Sequence, residues 1–169
     1  SASVARGNYL AQDRSDIQYA VKELSRAMSN PTQNDQKKLK RFARYLIGRE
    51  RAVTTMEYQN NYRAIEVWSG TDYAGCKRTR KSSTGGVVKM GNHVSKTWSN
   101  TQQIIALSSG EAEYYGIGKG ASVALGLRNI LDDLGMKVKI RVKTDASAAK
   151  GIASRRGAGK VRHIEVSQL

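Results

Sequence analysis

The chain has 169 residues, 39% of them hydrophobic, with one proline and no low-complexity block, which excludes a disordered tail and suits one ordinary domain with a small appended piece. Its 29 Lys and Arg against 14 Asp and Glu give a formal net charge of +15, an excess that attracts polyphosphate in a salt-dependent way without sequence preference. A lone cysteine, Cys76, excludes an internal disulfide and a cysteine zinc site, and no run approaches about 18 apolar residues, so an intracellular protein, cytoplasmic or nuclear, with no membrane partner is expected.

Residues 16–29 predict an amphipathic helix, because Ile17, Ala20, Val21, Leu24 and Met28 recur at three- and four-residue steps. Asn30-Pro31 stops it, since the residue before proline avoids the helical region. Thr32 with Asp35 three positions on has the form of a capping box and opens a second helix to Gly48. Leu39, Phe42, Ala43 and Leu46 give that helix an apolar face, and Lys37, Lys38, Lys40, Arg41 and Arg44 a basic one. The two helices predict a helical hairpin over residues 1–50 rather than a domain of their own.

From Val53 the texture changes. Val53–Tyr58 and Ala64–Ser69 predict strands around Asn60-Asn61, and Gly85–Met90 with His93–Ser99 predict a hairpin through Gly91-Asn92. Ser109 to Leu134 predicts a helix, although Gly116, Gly118, Gly120 and Gly126 each weaken an isolated helix by about 1 kcal/mol, so a break or tight packing is expected there. Val138–Thr144 predicts a half-buried strand and Ala146–Ser154 a short helix; Arg155–Gly159 reads as a basic mobile loop and Val161–Leu169 as the start of another element. Strands followed by helix, strand and helix describe an α/β protein with a mixed sheet flanked by helices.

Three carboxylates carry the chemistry in this order. Asp72 ends one apolar run, Asp145 ends another, and Glu111 lies in Ala106-Leu107-Ser108-Ser109-Gly110-Glu111-Ala112-Glu113-Tyr114 at a helix start. Each has a structural explanation alone: Asp72 as a turn residue, Glu111 as the third helical residue of a box begun by Ser108, Asp145 as a helix N-cap. Strand ends and helix starts of an α/β sheet share one rim, however, and acids gathered there repel one another unless cations neutralise them. A pair of hard divalent ions, about 3.5–4 Å apart, would do so and would clamp a scissile phosphate. Spacing alone does not separate a hydrolase from other enzymes with such a cage.

Thr71-Asp72-Tyr73-Ala74-Gly75-Cys76, Arg80-Lys81-Ser82-Ser83-Thr84-Gly85-Gly86, Ser95-Lys96-Thr97-Trp98 and the Ala106–Tyr114 run together resemble the ribonuclease H domain of copia-type retrotransposon Pol polyproteins. Thr144-Asp145, Ser147-Ala148 and Val161-Arg162-His163-Ile164-Glu165 extend the likeness. Upstream, Arg14-Ser15-Asp16-Ile17-Gln18-Tyr19-Ala20-Val21, Leu24-Ser25-Arg26, Met28-Ser29-Asn30-Pro31, Lys40-Arg41 and Arg44-Tyr45-Leu46-Ile47-Gly48 are similar to the end of the reverse transcriptase that precedes it.

The resemblance implies a ribonuclease H-like domain over residues 51–169, after a connection segment over 1–50, with reverse transcriptase as its partner in cis. It implies cleavage of the RNA strand of an RNA–DNA hybrid, with Asp72, Glu111 and Asp145 as catalytic and metal-binding carboxylates for two Mg²⁺ ions, or Mn²⁺ in their place. Glu111 is taken over Glu113 because it holds the first acid position of the run, and helix geometry turns Glu113 about 200° away. Lys77, Arg78, Arg80, Lys81, Arg155, Arg156 and Lys160 are the candidate nucleic-acid contacts. Tyr73 stands where the family often has Trp, and Ala146 where it often has Asn or Ser. Family members continue past the His-Ile-acid segment to a helix bearing a fourth aspartate, so the C-terminus is expected to be truncated; Glu165 matches an acidic position without standing in for that ligand. The alternative function is a catalytically inactive, truncated remnant that still binds nucleic acid.

Overall fold

A computed structural model describes residues 2–60 and 63–155, and the chain divides into two units, Ser1–Glu57 and Tyr58–Leu169. Arg156, Lys160, His163, Glu165 and the element expected at Val161–Leu169 lie outside the described residues.

The first unit holds three helices, α1 (Ala2–Leu10), α2 (Gln18–Ser25) and α3 (Gln33–Gly48), with a single 3₁₀ turn at Ser15–Ile17 before α2. Helix α1 has no counterpart in the pattern reading, because Gly7 and Asn8 interrupt its apolar face. Its Val4 is buried with Ala11, Ile17, Val21, Leu24 and Phe42, and a Cβ on Gly7 would lie 3.4 Å from the Phe42 ring. Helix α3 opens on Thr32 as expected: the Thr32 hydroxyl accepts from the Asp35 N–H at 3.3 Å and the Asp35 carboxylate accepts from the Thr32 N–H at 3.1 Å. The buried Arg14 donates to Asp16 at 2.7 Å and to the Arg49 carbonyl at 3.1 Å, tying the α1–α2 loop to the end of α3. With Arg14, and then the Tyr45 hydroxyl, donating to it, the Asp16 carboxyl is held at about 2, against the cost of burial.

The second unit is a four-stranded sheet in the order β3-β2-β1-β4, from β1 (Ala64–Asp72), β2 (Ser83–Met90), β3 (His93–Thr101) and β4 (Lys139–Lys143). β1 pairs antiparallel with β2 and parallel with β4, so the sheet is mixed, and α4 (Ser109–Asp133) and α5 (Ser147–Ser154) flank it. This is the α/β architecture expected, consistent with a ribonuclease H-like fold. The expected strand at Val53–Tyr58 does not form; Val53, Met56 and Tyr58 are exposed, and β-propensity without a face to bury is not sufficient. Gln59 ends that stretch by donating to the Met90 carbonyl at 2.8 Å and accepting from the Asn92 N–H at 3.0 Å, which fixes it to the β2–β3 turn.

Helix α4 runs unbroken through Gly116, Gly118, Gly120 and Gly126, and two of them explain why. Ile65 and Val67 of β1, Val88 of β2 and Trp98 of β3 are buried with Ala124 and Leu131 of α4. A Cβ on Gly120 would meet Val67 Cγ1 at 2.7 Å, and one on Gly116 would meet Thr71 Oγ1 at 2.7 Å. Glycine there lets the helix backbone settle on β1, and this close packing offsets the helix propensity that glycine forfeits. Gly118 and Gly126 face open space.

The two kinds of glycine therefore respond oppositely to one methyl group. In urea unfolding, Gly120→Ala is expected to destabilise by about 1–3 kcal/mol through overpacking. Gly118→Ala and Gly126→Ala are expected to stabilise by about 0.5–1 kcal/mol each. Equal effects at all three positions would refute the close approach of α4 to β1.

Candidate active site

β1 and β4 run parallel in register from Ala64↔Lys139 to Trp68↔Lys143, so their C-terminal ends open on one rim. β1 continues to Thr71-Asp72, and Thr144-Asp145 follow β4 directly. Helix α4 packs on β1 and brings its first turns to the same rim, where ligands bind in open α/β sheets.

Glu113 is the helix carboxylate that faces this rim. Its Oε1 accepts from the Thr71 N–H at 2.9 Å. Burial raises its pKa above the ordinary carboxylate value, the Asp145 charge raises it further, and the Thr71 N–H works in the opposite direction. Its Oε2 is buried with no hydrogen-bond partner among the described residues.

Glu111 lies elsewhere, and here the structure departs from the motif assignment. It is 2% exposed; its Oε2 accepts from the Leu107 N–H at 2.9 Å and its Oε1 from the Tyr115 hydroxyl at 2.8 Å. Its own N–H donates to Ser108 Oγ at 3.1 Å, which caps α4. Glu111 thus closes the entry to the helix, the structural role that its distance from Ser108 allowed. The 200° separation between the two glutamates holds, with the faces exchanged. A signal for Glu113 was present in the sequence: once Glu111 is taken up at the helix entry beside the Ser108 cap, the other acid is left for the opposite face.

Asp72 is the last residue of β1 and is exposed, with its carboxylate turned onto the following loop, where a Cβ on Gly75 would overlap it. It shares the rim with Glu113 but is not among the groups that shift it. Asp145 is exposed and does not cap α5, whose N-cap is Ala146 without a side-chain bond. The Ala146 N–H is instead satisfied by Thr144 Oγ1 at 3.1 Å, which leaves the Asp145 carboxylate with no capping duty.

Hard oxygen donors of this kind suit Mg²⁺ or Mn²⁺. The unpartnered Oε2 of Glu113, next to the Asp145 charge, fits a divalent cation, and Asp72 stands at the adjoining strand end with its side chain rotated away. Among the described residues no three His, Cys, Asp or Glu side chains are already close enough to hold a metal ion.

Of the candidate cations, Lys77, Arg78 and Arg80 are exposed and Lys81 half-buried, all in the loop that follows Asp72. That loop is knitted by its own hydrogen bonds: the Arg80 N–H donates to the Cys76 carbonyl at 2.7 Å and the Ala74 N–H to the Ser82 side-chain hydroxyl at 3.0 Å. Ala74 and Arg80 take left-handed φ values of 53° and 56°, costing about 1–2 kcal/mol each for L residues, so the tight course is imposed by these bonds. Arg155 is exposed at the end of α5 and donates to the Gly151 carbonyl at 3.3 Å. No helix among the described residues is long and apolar enough to cross a membrane.

Sequence comparison places the chain beside transposon polyproteins. It is 34% identical over 130 residues to the retrovirus-related Pol polyprotein from transposon RE1 of Arabidopsis thaliana, 77% of this chain and 9% of that protein. It is 32% identical over 130 residues to the corresponding polyprotein from transposon RE2 of the same plant, again 77% and 9%. With the retrovirus-related Pol polyprotein from transposon TNT 1-94 of Nicotiana tabacum it shares 30% over 129 residues, 75% and 9%. The chain thus spans about 9% of the length of these relatives. No family model matches it, and no solved structure matches it.

A carboxyl whose pKa is raised on folding opposes folding once ionised, so its cost is absent in acid and full above its folded pKa. In chelator, Glu113→Gln is therefore expected to leave Tm unchanged near pH 4 and to raise it at pH 8. Thermal unfolding across pH measures this, and a difference in Tm that stays flat with pH would contradict a Glu113 whose charged form is disfavoured by burial and by Asp145.

Proposed function

We propose that this chain, related to a short segment of transposon Pol polyproteins, hydrolyses the RNA strand of RNA–DNA hybrids during reverse transcription, with the reverse transcriptase joined to it in cis. The single observation that carries the reading is the hydrogen bond from the Thr71 N–H to Glu113, which sets that carboxylate on the rim where β1 and β4 deliver Asp72 and Asp145. The motif resemblance and the Pol polyprotein relatives point the same way.

In this reading Asp72, Glu113 and Asp145 are the carboxylates that hold divalent ions, with Glu113 in the place first given to Glu111. Magnesium, were it bound by these carboxylates, would supply Lewis acidity at the scissile phosphate. The protein's own part is placement. The Thr71 N–H fixes one Glu113 oxygen and leaves the other without a protein partner, and a rotation of the Asp72 side chain off Gly75 would be needed for it to join the site. Lys77, Arg78, Arg80 and Lys81 hold backbone phosphates beside Asp72, and contacts to 2′-hydroxyls across the wide minor groove select RNA.

A second reading is a non-catalytic module that binds nucleic acid without cutting it. The Asp72 carboxylate against Gly75, with no three acids among the described residues close enough to hold a metal ion, favours it.

Cleavage of a labelled hybrid in Mg²⁺, with binding measured in chelator, separates the two. Asp145→Asn and Glu113→Gln are each expected to lower the cleavage rate by about 10²-fold or more while binding is kept. Glu111→Gln is expected to cost about 1–3 kcal/mol of stability and to leave the rate of the folded protein within about tenfold. Duplex DNA of the same sequence is expected to survive. An intact chain that binds hybrid but shows no Mg²⁺-dependent cleavage would establish the non-catalytic reading.

A further inference from the structure

We infer that helix α3 carries a second nucleic-acid contact, a row of cations that grips the phosphate backbone of a duplex. The inference goes beyond hydrolysis at the carboxylate rim and does not depend on it, since the row lies in the other unit of the chain.

Between Gln33 and Gly48 there are five basic residues and one acid, Asp35. Asp35 is already committed: Thr32 donates to it through its N–H at 3.1 Å and its hydroxyl at 2.7 Å, and Lys38 pairs with it at 3.1 Å. Lys37, Lys40, Arg41 and Arg44 are exposed, and none of the four has an ion-pair or side-chain hydrogen-bond partner among the described residues. At about 100° per residue the four fall within an arc of about 100°, centred opposite the side on which Leu39, Phe42 and Leu46 pack into the unit's core.

Such a row is costly for the helix by itself. Lys37–Lys40, Lys37–Arg41, Lys40–Arg44 and Arg41–Arg44 are like-charge neighbours three or four apart, each unfavourable by about 0.2–0.5 kcal/mol. A polyanion removes that repulsion. The row spans about 10.5 Å of helix, over which a duplex, with one charge per about 1.7 Å of its axis, presents about six phosphates. The arc holds no aromatic ring on which an unpaired base could stack. Tyr45 lies outside it and donates its hydroxyl to Asp16 at 2.8 Å. A duplex backbone therefore suits the surface better than a single strand, and the contact carries no sequence preference.

The test uses the full chain in chelator, where cleavage plays no part, with a labelled RNA–DNA hybrid and a DNA duplex of about 20 base pairs, over about 50–200 mM salt. The variant Lys37→Gln, Lys40→Gln, Arg41→Gln, Arg44→Gln keeps good helix formers throughout, and its fold is checked by circular dichroism and Tm. Its slope of log affinity against log salt is expected to fall by about three units on both duplexes. The charge-preserving pair Lys37→Arg, Lys40→Arg is expected to bind as the native chain does. An unchanged slope in the folded quadruple variant overturns the inference. So does binding of poly-glutamate as tight as that of the duplexes and equally lost in the variant, which would make the row a dock for an acidic protein.

Discussion

The hydrogen bond from the Thr71 N–H to the Glu113 carboxylate is the contact on which the candidate site depends. It joins the end of β1 to the second turn of α4, and it exists because the helix backbone lies close to the strand. Gly116 and Gly120, three and seven residues further along α4, allow that approach, one over Thr71 and the other over Val67. Helix propensity is lost at both positions, and what is gained is the placing of an acid at a strand end. The parallel pairing of β1 with β4 then brings Asp145 to the same rim.

Three carboxylates in this molecule show how differently an acid can be used. Asp16 is held near 2 because Arg14 and Tyr45 donate to it, so its charge is neutralised within the protein. Glu66 is likewise lowered by Lys143, with Arg141 adding to the effect. Glu113 is shifted the other way. It is partly buried, receives one backbone N–H, and feels another acid rather than a base. In a chain with 29 basic residues, an acid pushed upward by burial and by an acidic neighbour stands out. A site whose charge is left uncompensated by the fold is one that a cation from outside can complete, and a perturbed carboxylate in such a place is a candidate functional group.

Much of this was readable from local pattern. The Thr32–Asp35 box, the hairpin through Gly91-Asn92, the alternation of Val138, Ile140 and Val142 and the helix from Ser109 are short-range signals, and the structure follows each of them within a few residues. What pattern could not supply was the partner of each segment. Val53–Tyr58 has strand-forming residues but no neighbouring edge, and α1 has a weak apolar face that gains its meaning from Phe42 and Val21. The carboxylates divide in the same way. That Asp72 and Asp145 each close an apolar run is legible in the sequence, whereas the pairing of those two runs as neighbouring strands is a tertiary fact. Which of Glu111 and Glu113 turns toward them depends on the rotation of α4 about its own axis, which is set by the packing of Gly116 and Gly120 on β1.

The two glutamates of one motif also affect each other. Glu111 holds the Leu107 N–H and the Tyr115 hydroxyl, so it fixes both the entry of α4 and a side chain one turn along it. Glu113 sits between those two anchors, and any slackening of the cap reaches it through about half a turn of helix. Loss of Glu111 can therefore depress a reaction at the rim without Glu111 ever touching substrate. The distinction is physical. A residue that only stabilises the helix start shows its effect in the fraction folded and in Tm, and cooling or a stabilising osmolyte restores the rate. A residue that holds the reacting groups shows its effect in the folded molecule, under every condition that keeps it folded. Activity alone, measured at one temperature, would assign the same role to both.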